Sequence, residues 1–133
     1  MTDVRPFFEA YGRAFEAYDA EAIAATYATP CLFVRDGVTV AAATTEDVLE
    51  SVRSLLDLHR AWDVQTARPA EVAVLEQAPA HALARVAWKL GRPGTRVEWS
   101  FDTTYTLVPV ESREAGAANG WQIAVAVTHD APF

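Results

Sequence analysis

The sequence predicts an α+β protein, with three N-terminal helices packed on a strongly curved, mostly antiparallel sheet. Apolar residues recur at helical spacing only as far as Arg60. Beyond that point the pattern changes to alternation, clearest in the runs Val97–Leu107 and Trp121–His129, which mark strands with one apolar face. Helices first and strands afterward segregate into two layers. The 133 residues suit one domain with one core, taken as residues 1–133, and no repeat, linker or low-complexity segment interrupts them.

In the first helix, Val4 to Tyr18, the residues Phe7, Tyr11, Phe15 and Tyr18 fall on one side. Asp3 can cap it and Pro6 is tolerated in the first turn. Asp19 is a candidate N-cap for a short second helix, Ala20 to Tyr27, ended by Thr29-Pro30. Two short strands, Cys31–Val34 and Val38–Ala42, flank a turn at Asp36-Gly37. The run Thr44-Thr45-Glu46-Asp47 opens a third helix, whose apolar stripe is Val48, Val52, Leu55, Leu56 and His59. A strand from Trp62 to Glu76 contains Pro69, which predicts a bulge or an edge. The next strand, Ala82–Leu90, puts Ala84, Val86, Trp88 and Leu90 on one face, before a turn at Gly91-Arg92-Pro93-Gly94. Residues 111–120 form a surface loop between the last two strands.

A formal charge of −7 and a single lysine, Lys89, argue against nucleic acid as a partner, since phosphate neutralisation needs a basic stripe. One cysteine, Cys31, excludes an internal disulfide and a thiolate metal cluster, and its apolar neighbours favour a buried inert thiol. Three scattered histidines without carboxylates at ligand spacing give no metal site, and no Gly-rich loop suggests a cofactor. The N-terminus lacks a basic region followed by an apolar core, and no apolar run reaches membrane-spanning length. A cytoplasmic protein with no membrane partner is expected.

Three patterns carry a resemblance. They are Asp19-Ala20-Glu21-Ala22-Ile23 with Tyr27 following, a Thr-Glu-Asp helix start after a short hairpin, and Asn119-Gly120-Trp121-Gln122-Ile123 entering the last strand. With the order of elements, they make nearly the whole chain resemble the nuclear transport factor two-like superfamily, which includes SnoaL-like and ketosteroid isomerase-like proteins. The resemblance implies a cone-shaped roll and often a homodimer through the sheet. It implies no single activity, because the superfamily holds isomerases, dehydratases, cyclases, epoxide hydrolases and non-catalytic members. Laid on ketosteroid isomerase, Tyr11 falls where that family places its oxyanion-hole tyrosine. Arg35 falls where it places its general-base aspartate, and Asp36 comes one residue later, on the opposite strand face.

The candidate catalytic residues are Tyr11 as hydrogen-bond donor, Arg35 as anchor for an anionic group and His129 as proton carrier. Each also has a structural reading, as a packed ring, a solvated strand-end charge and a core histidine. Trp88, Trp99 and Tyr105 are the candidate ligand-binding residues, lining either a hydrophobic small-molecule pocket or a plain core. Asp102 lies on the polar side of its strand with Ser100, Thr104 and Thr106, and His59 and His81 are expected at the surface. Two functions follow. One is a small-molecule domain for a hydrophobic or anionic ligand, with lyase- or isomerase-type proton transfer. The other is a non-catalytic binding or dimerisation module, pairing through Ser100, Asp102, Thr104, Thr106, Gln122, Ala124, Ala126 and Thr128.

Overall fold

The Asp3 carboxylate accepts the Arg5 amide at 3.0 Å, and helix α1 runs from there as Arg5–Glu16. Its buried stripe is Phe7, Phe8, Tyr11, Gly12 and Phe15. Asp19 caps α2 (Ala20–Ala24) by accepting the Ala22 amide at 3.1 Å. Strands β1 (Tyr27–Arg35) and β2 (Val38–Ala42) form a hairpin. Thr44 and Asp47 then close a reciprocal capping box on α3 (Thr45–Ala61). Four strands follow, β3 (Thr66–Ala78), β4 (His81–Gly91), β5 (Glu98–Pro109) and β6 (Trp121–His129). This computed structural model describes residues 3–110 and 120–129, so the loop expected over 111–120 lies, apart from Gly120, outside the described residues.

All six strands join one open sheet in the order β2-β1-β6-β5-β4-β3, antiparallel except for the parallel pair β1–β6. The three helices cover its concave face, where Ala82, Ala84, Val86, Trp88 and Leu90 of β4 are buried as the alternation predicts. None of the described helices is long and apolar enough to cross a membrane.

Some boundaries differ from the sequence reading, each for a tertiary reason. The second helix stops at Ala24 because the Ile123 amide binds the Thr26 carbonyl at 2.8 Å and Tyr27 pairs with Ile123, drawing that residue into the sheet. Pro30 therefore lies inside β1, within the stretch where the register slips between Tyr27 and Leu32 and no ladder amide is demanded of it. The strand expected from Trp62 begins at Thr66. Trp62 instead caps α3, with its carbonyl held by the Arg92 guanidinium at 2.5 and 3.0 Å. Pro69 does sit at a bulge on an edge strand.

The largest departure is in β6. Thr106 pairs with Val125 but Leu107 pairs with Ile123, so Ala124 is an extra residue in this strand. Successive strand residues face opposite ways, and one inserted residue reverses the facing of all that follow. Trp121 and Ile123 point into the core. After the bulge, Ala126 and Thr128 take the inner face, opposite Tyr105 and Thr103, while Val125, Val127 and His129 turn outward. The single apolar face expected for β6, and the outward placement of Ala126 and Thr128, are corrected accordingly.

Helix α1 lies unusually close to β3. A Cβ on Gly12 would sit 2.7 Å from the Ala67 carbonyl oxygen and 3.2 Å from the Trp88 ring. The Glu16 carboxylate fixes the same junction, accepting the Ala67 amide at 2.9 Å and the Arg68 guanidinium at 2.8 Å. Gly12→Ala adds helix propensity but forces backbone against backbone. A net stability loss of about 1–2 kcal/mol is expected in urea unfolding. An unchanged or higher midpoint would mean that α1 can lift from Ala67 without cost.

Candidate functional site

Between the concave sheet face, α1 and α3 lies a cavity of about 510 Å³. Its inner wall is built by Tyr11 and Phe15 of α1, Tyr27 and Phe33 of β1, Trp88 and Leu90 of β4, Phe101, Thr103 and Tyr105 of β5, and Ala126 and Thr128 of β6. Helix α3 supplies Ser51, Val52, Ser54, Leu55, Leu58 and His59. The hairpin supplies Arg35, Asp36, Val38 and Val40. Val38, Val40 and Leu58 are exposed apolar residues, which places the mouth between the hairpin and α3. There α3 offers Ser51 and Ser54, too short to close the gap.

The deepest polar feature is a cluster of phenols. The Tyr11 and Tyr27 hydroxyls stand 2.5 Å apart, and the Tyr105 hydroxyl accepts the Trp88 indole N–H at 2.9 Å. The Tyr11 and Tyr105 rings meet edge to face, 6.1 Å between centroids, which gathers the three phenols into one cluster. Burial pushes the pKa of all three phenols up, reinforced by the neighbouring rings of the cluster. They therefore stay protonated. Each phenol carries one proton and the Tyr11–Tyr27 contact uses one of them, so the cluster has donor capacity for an acceptor entering the cavity.

His59 is the histidine of this cavity. It is 4% exposed, packs 5.2 Å from the Phe15 ring at a 33° tilt, and burial lowers its pKa to about 4. At neutral pH it is an uncharged imidazole. Cys31, also buried, has its thiol pushed up to about 11 by burial, which leaves it protonated and unreactive.

The structure brings Tyr11, Arg35, Trp88 and Tyr105 to one cavity and leaves His129 and Trp99 elsewhere. Arg35 shares the inner face of β1 with Phe33, pairs with Thr128 across the sheet, and lies 3.6 Å from the Asp36 carboxylate at the mouth. The Ala124 bulge sends His129 to the convex face, where its Nε2 is 3.0 Å from the Thr104 hydroxyl and it stands opposite Asp102. Asp102 is outward, as its parity predicts, and pairs with Arg85 at 2.8 Å. The Trp99 ring is held away from the cavity by Trp62, 5.2 Å between centroids, and by the Arg92 guanidinium at 5.5 Å. His81 pairs with Glu76 at the β3–β4 turn. The described residues contain no cluster of three or more potential metal ligands.

Sequence reasoning missed Tyr27 and His59 as cavity residues. His59 continues the stripe Val48, Val52, Leu55, Leu56 at helical spacing, and that continuation was the available signal for its burial. Tyr27 carried no comparable signal, since its side is set by pairing with Ile123. A testable consequence concerns pH. The unfolded imidazole takes its proton near 6.5 and the folded one only near 4, so stability due to this group is full above pH 6.5 and is lost as pH falls toward 4. The full loss is up to about 3 kcal/mol. Urea unfolding at pH 7 and pH 4.5 is expected to show a steeper decline in wild type than in His59→Phe. Equal declines would put the ring in water.

Solved structures share this architecture at low identity. Aln2 from a Streptomyces species superposes with a TM-score of 0.67 and 14% identity over 92% of this chain and 84% of its own. A ketosteroid isomerase-like protein from Erwinia carotovora atroseptica gives 0.58 and 21%, over 90% and 86%. An NTF-2 like protein of unknown function from Shewanella oneidensis gives 0.61 and 12%, over 92% and 93%. Identities of this size carry the fold and nothing of the activity. No curated protein matches the chain by sequence. A family model does, over residues 2–131, and by it the chain belongs to the family described as NTF2-like protein (DUF6841).

Proposed function

We propose that this chain binds a small, mainly apolar molecule in the cavity beneath α3. The supporting observation is the cavity itself, about 510 Å³ walled largely by rings and aliphatic side chains, with polar groups confined to a few places. The phenol cluster would donate to an oxygen of the ligand, and Arg35 at the mouth would meet an anionic substituent. The isomerase template has a carboxylate where Arg35 stands, and an always-protonated guanidinium cannot take a proton. Asp36 has a side chain 74% exposed and is paired with Arg35, so it is poorly placed to replace that base. Binding is therefore the reading favoured over proton-transfer catalysis at the template's position.

Titration with anilinonaphthalenesulfonate, an apolar fluorophore carrying an anionic group, is the test. Saturable one-to-one enhancement is expected for the folded protein. Leu55→Trp, which fills the cavity from α3, should abolish it, and Arg35→Ala should weaken it about fivefold. Enhancement that is absent, or indifferent to Leu55→Trp in a protein with native circular dichroism, would overturn the reading.

A second reading, a homodimer through the convex sheet face, is favoured by the consequence of the β6 bulge. Val125 and Val127 turn outward beside Leu32 and Val34, their register partners on β1, and Leu32 is 38% exposed. Short Thr104 and Thr106 lie on the same face and allow close approach of a second sheet. Sedimentation at micromolar concentration is expected to give a dimer that Val127→Arg dissociates. A monomeric wild type would remove this reading.

A further inference from the structure

The inner face of the β1–β2 hairpin climbs from the core to the mouth of the cavity. Its register pairs are Cys31–Ala42, Phe33–Val40 and Arg35–Val38, which strand alternation puts on one side. Exposure rises along β2 from 0% at Ala42 through 48% at Val40 to 61% at Val38, and both valines line the cavity. Across the opening, α3 sets Leu58, a further exposed aliphatic side chain of the same lining. Single exposed aliphatic residues are ordinary on a protein surface. These three border one opening and continue the apolar wall behind it. Polar donors lie at the other end, where the buried phenols of Tyr11, Tyr27 and Tyr105 hold their protons. The charged side chains of the lining, Arg35 and Asp36, stand together at the mouth. A carboxylate sent to the floor would leave water for uncharged partners, whereas a carbonyl oxygen needs only a donated hydrogen bond.

We infer that the cavity takes an elongated ligand, with an uncharged carbonyl head on the phenols and an alkyl chain running out between β2 and α3 across Val38, Val40 and Leu58. The inference rests on the proposed binding role of the cavity and adds the class of molecule and its direction in the site. A compact ligand ending inside the cavity leaves the three side chains in water. A chain laid over them removes apolar surface of both partners from water. The opposite direction, chain inward and an anionic head at Arg35, sets the donor capacity of the phenols against hydrocarbon.

Cyclohexanones carrying a methyl, butyl, hexyl or octyl group at carbon 4 place the carbonyl at one end and the chain at the other. Each is measured by displacement of the anilinonaphthalenesulfonate fluorophore, with octylcyclohexane as the probe without a carbonyl and nonanoate as the probe of reversed direction. A fully buried methylene strengthens binding about fourfold, and a strip open to water on one side is expected to keep about twofold per methylene beyond butyl. The double variant Val38→Thr, Val40→Thr keeps β-branched side chains on the exposed strand and should flatten that rise while leaving 4-methylcyclohexanone unchanged. Octylcyclohexane should bind wild type about tenfold more weakly than 4-octylcyclohexanone. In wild type, methyl NMR should show Val38, Val40 and Leu58 shifting with the octyl ketone and unmoved by the methyl ketone, a readout that needs no variant. Absence of any saturable fluorophore enhancement would remove the binding role and this inference with it. With the fluorophore bound and displaceable, affinity that stops rising at butyl, a rise that survives the double variant, or unmoved methyl signals would overturn the inference alone. Nonanoate binding more tightly than the octyl ketone would overturn the direction of the ligand.

Discussion

Where α1 crosses β3, the absence of a side chain at Gly12 lets two backbones meet at the Ala67 carbonyl, and Glu16 secures the contact from the next turn. The rest of the concave side takes its position from this seat. It sets the height of Tyr11 and Phe15 above the sheet, and so the depth at which the Tyr11 hydroxyl reaches Tyr27. A bulkier residue at Gly12 would raise the helix and pull the Tyr11 and Tyr27 hydroxyls apart. The cavity has a firm floor because a close-packed junction sits beside it, and interiors of that density transmit displacement instead of absorbing it.

The opposite wall is built on different terms. Helix α3 packs through Val48, Val52 and Leu56, while Ser51 and Ser54 face the hairpin without filling the space before it. The cavity is thus graded, from buried uncharged donors at the floor through rings at mid-depth to the Arg35–Asp36 pair at the rim. Charge is kept where water can reach it, and the buried polar groups are all ones that can remain neutral.

Much of this is legible in the sequence, and what is lost has physical causes. The alternation in β4 and β5 places Trp88, Tyr105 and Asp102 on their faces because those strands pair without interruption along that stretch. Tyr11 follows from helical spacing. His129 is misplaced by simple alternation because nothing in Trp121–His129 marks Ala124 as an extra residue. The bulge is defined only by the pairing of β6 with β5. Parity assigns Trp99 to the cavity, but parity gives the face and not the distance along it, and the ring is captured by Trp62 and Arg92 beyond the cavity's end. Tyr27 reads as helical because local propensity cannot anticipate a parallel partner nearly a hundred residues later in the chain.

The Ala124 bulge also makes β6 a strand with two addresses. Thr128 belongs to the inner wall and His129 to the outer surface, yet they are consecutive residues on a sheet one layer thick. No second layer cushions one side from the other along this strand. Any displacement of the β6 backbone that makes room for a guest beside Ala126 and Thr128 is delivered at once to Val125, Val127 and His129. The inner and outer surfaces of the protein are therefore mechanically a single object seen from two directions.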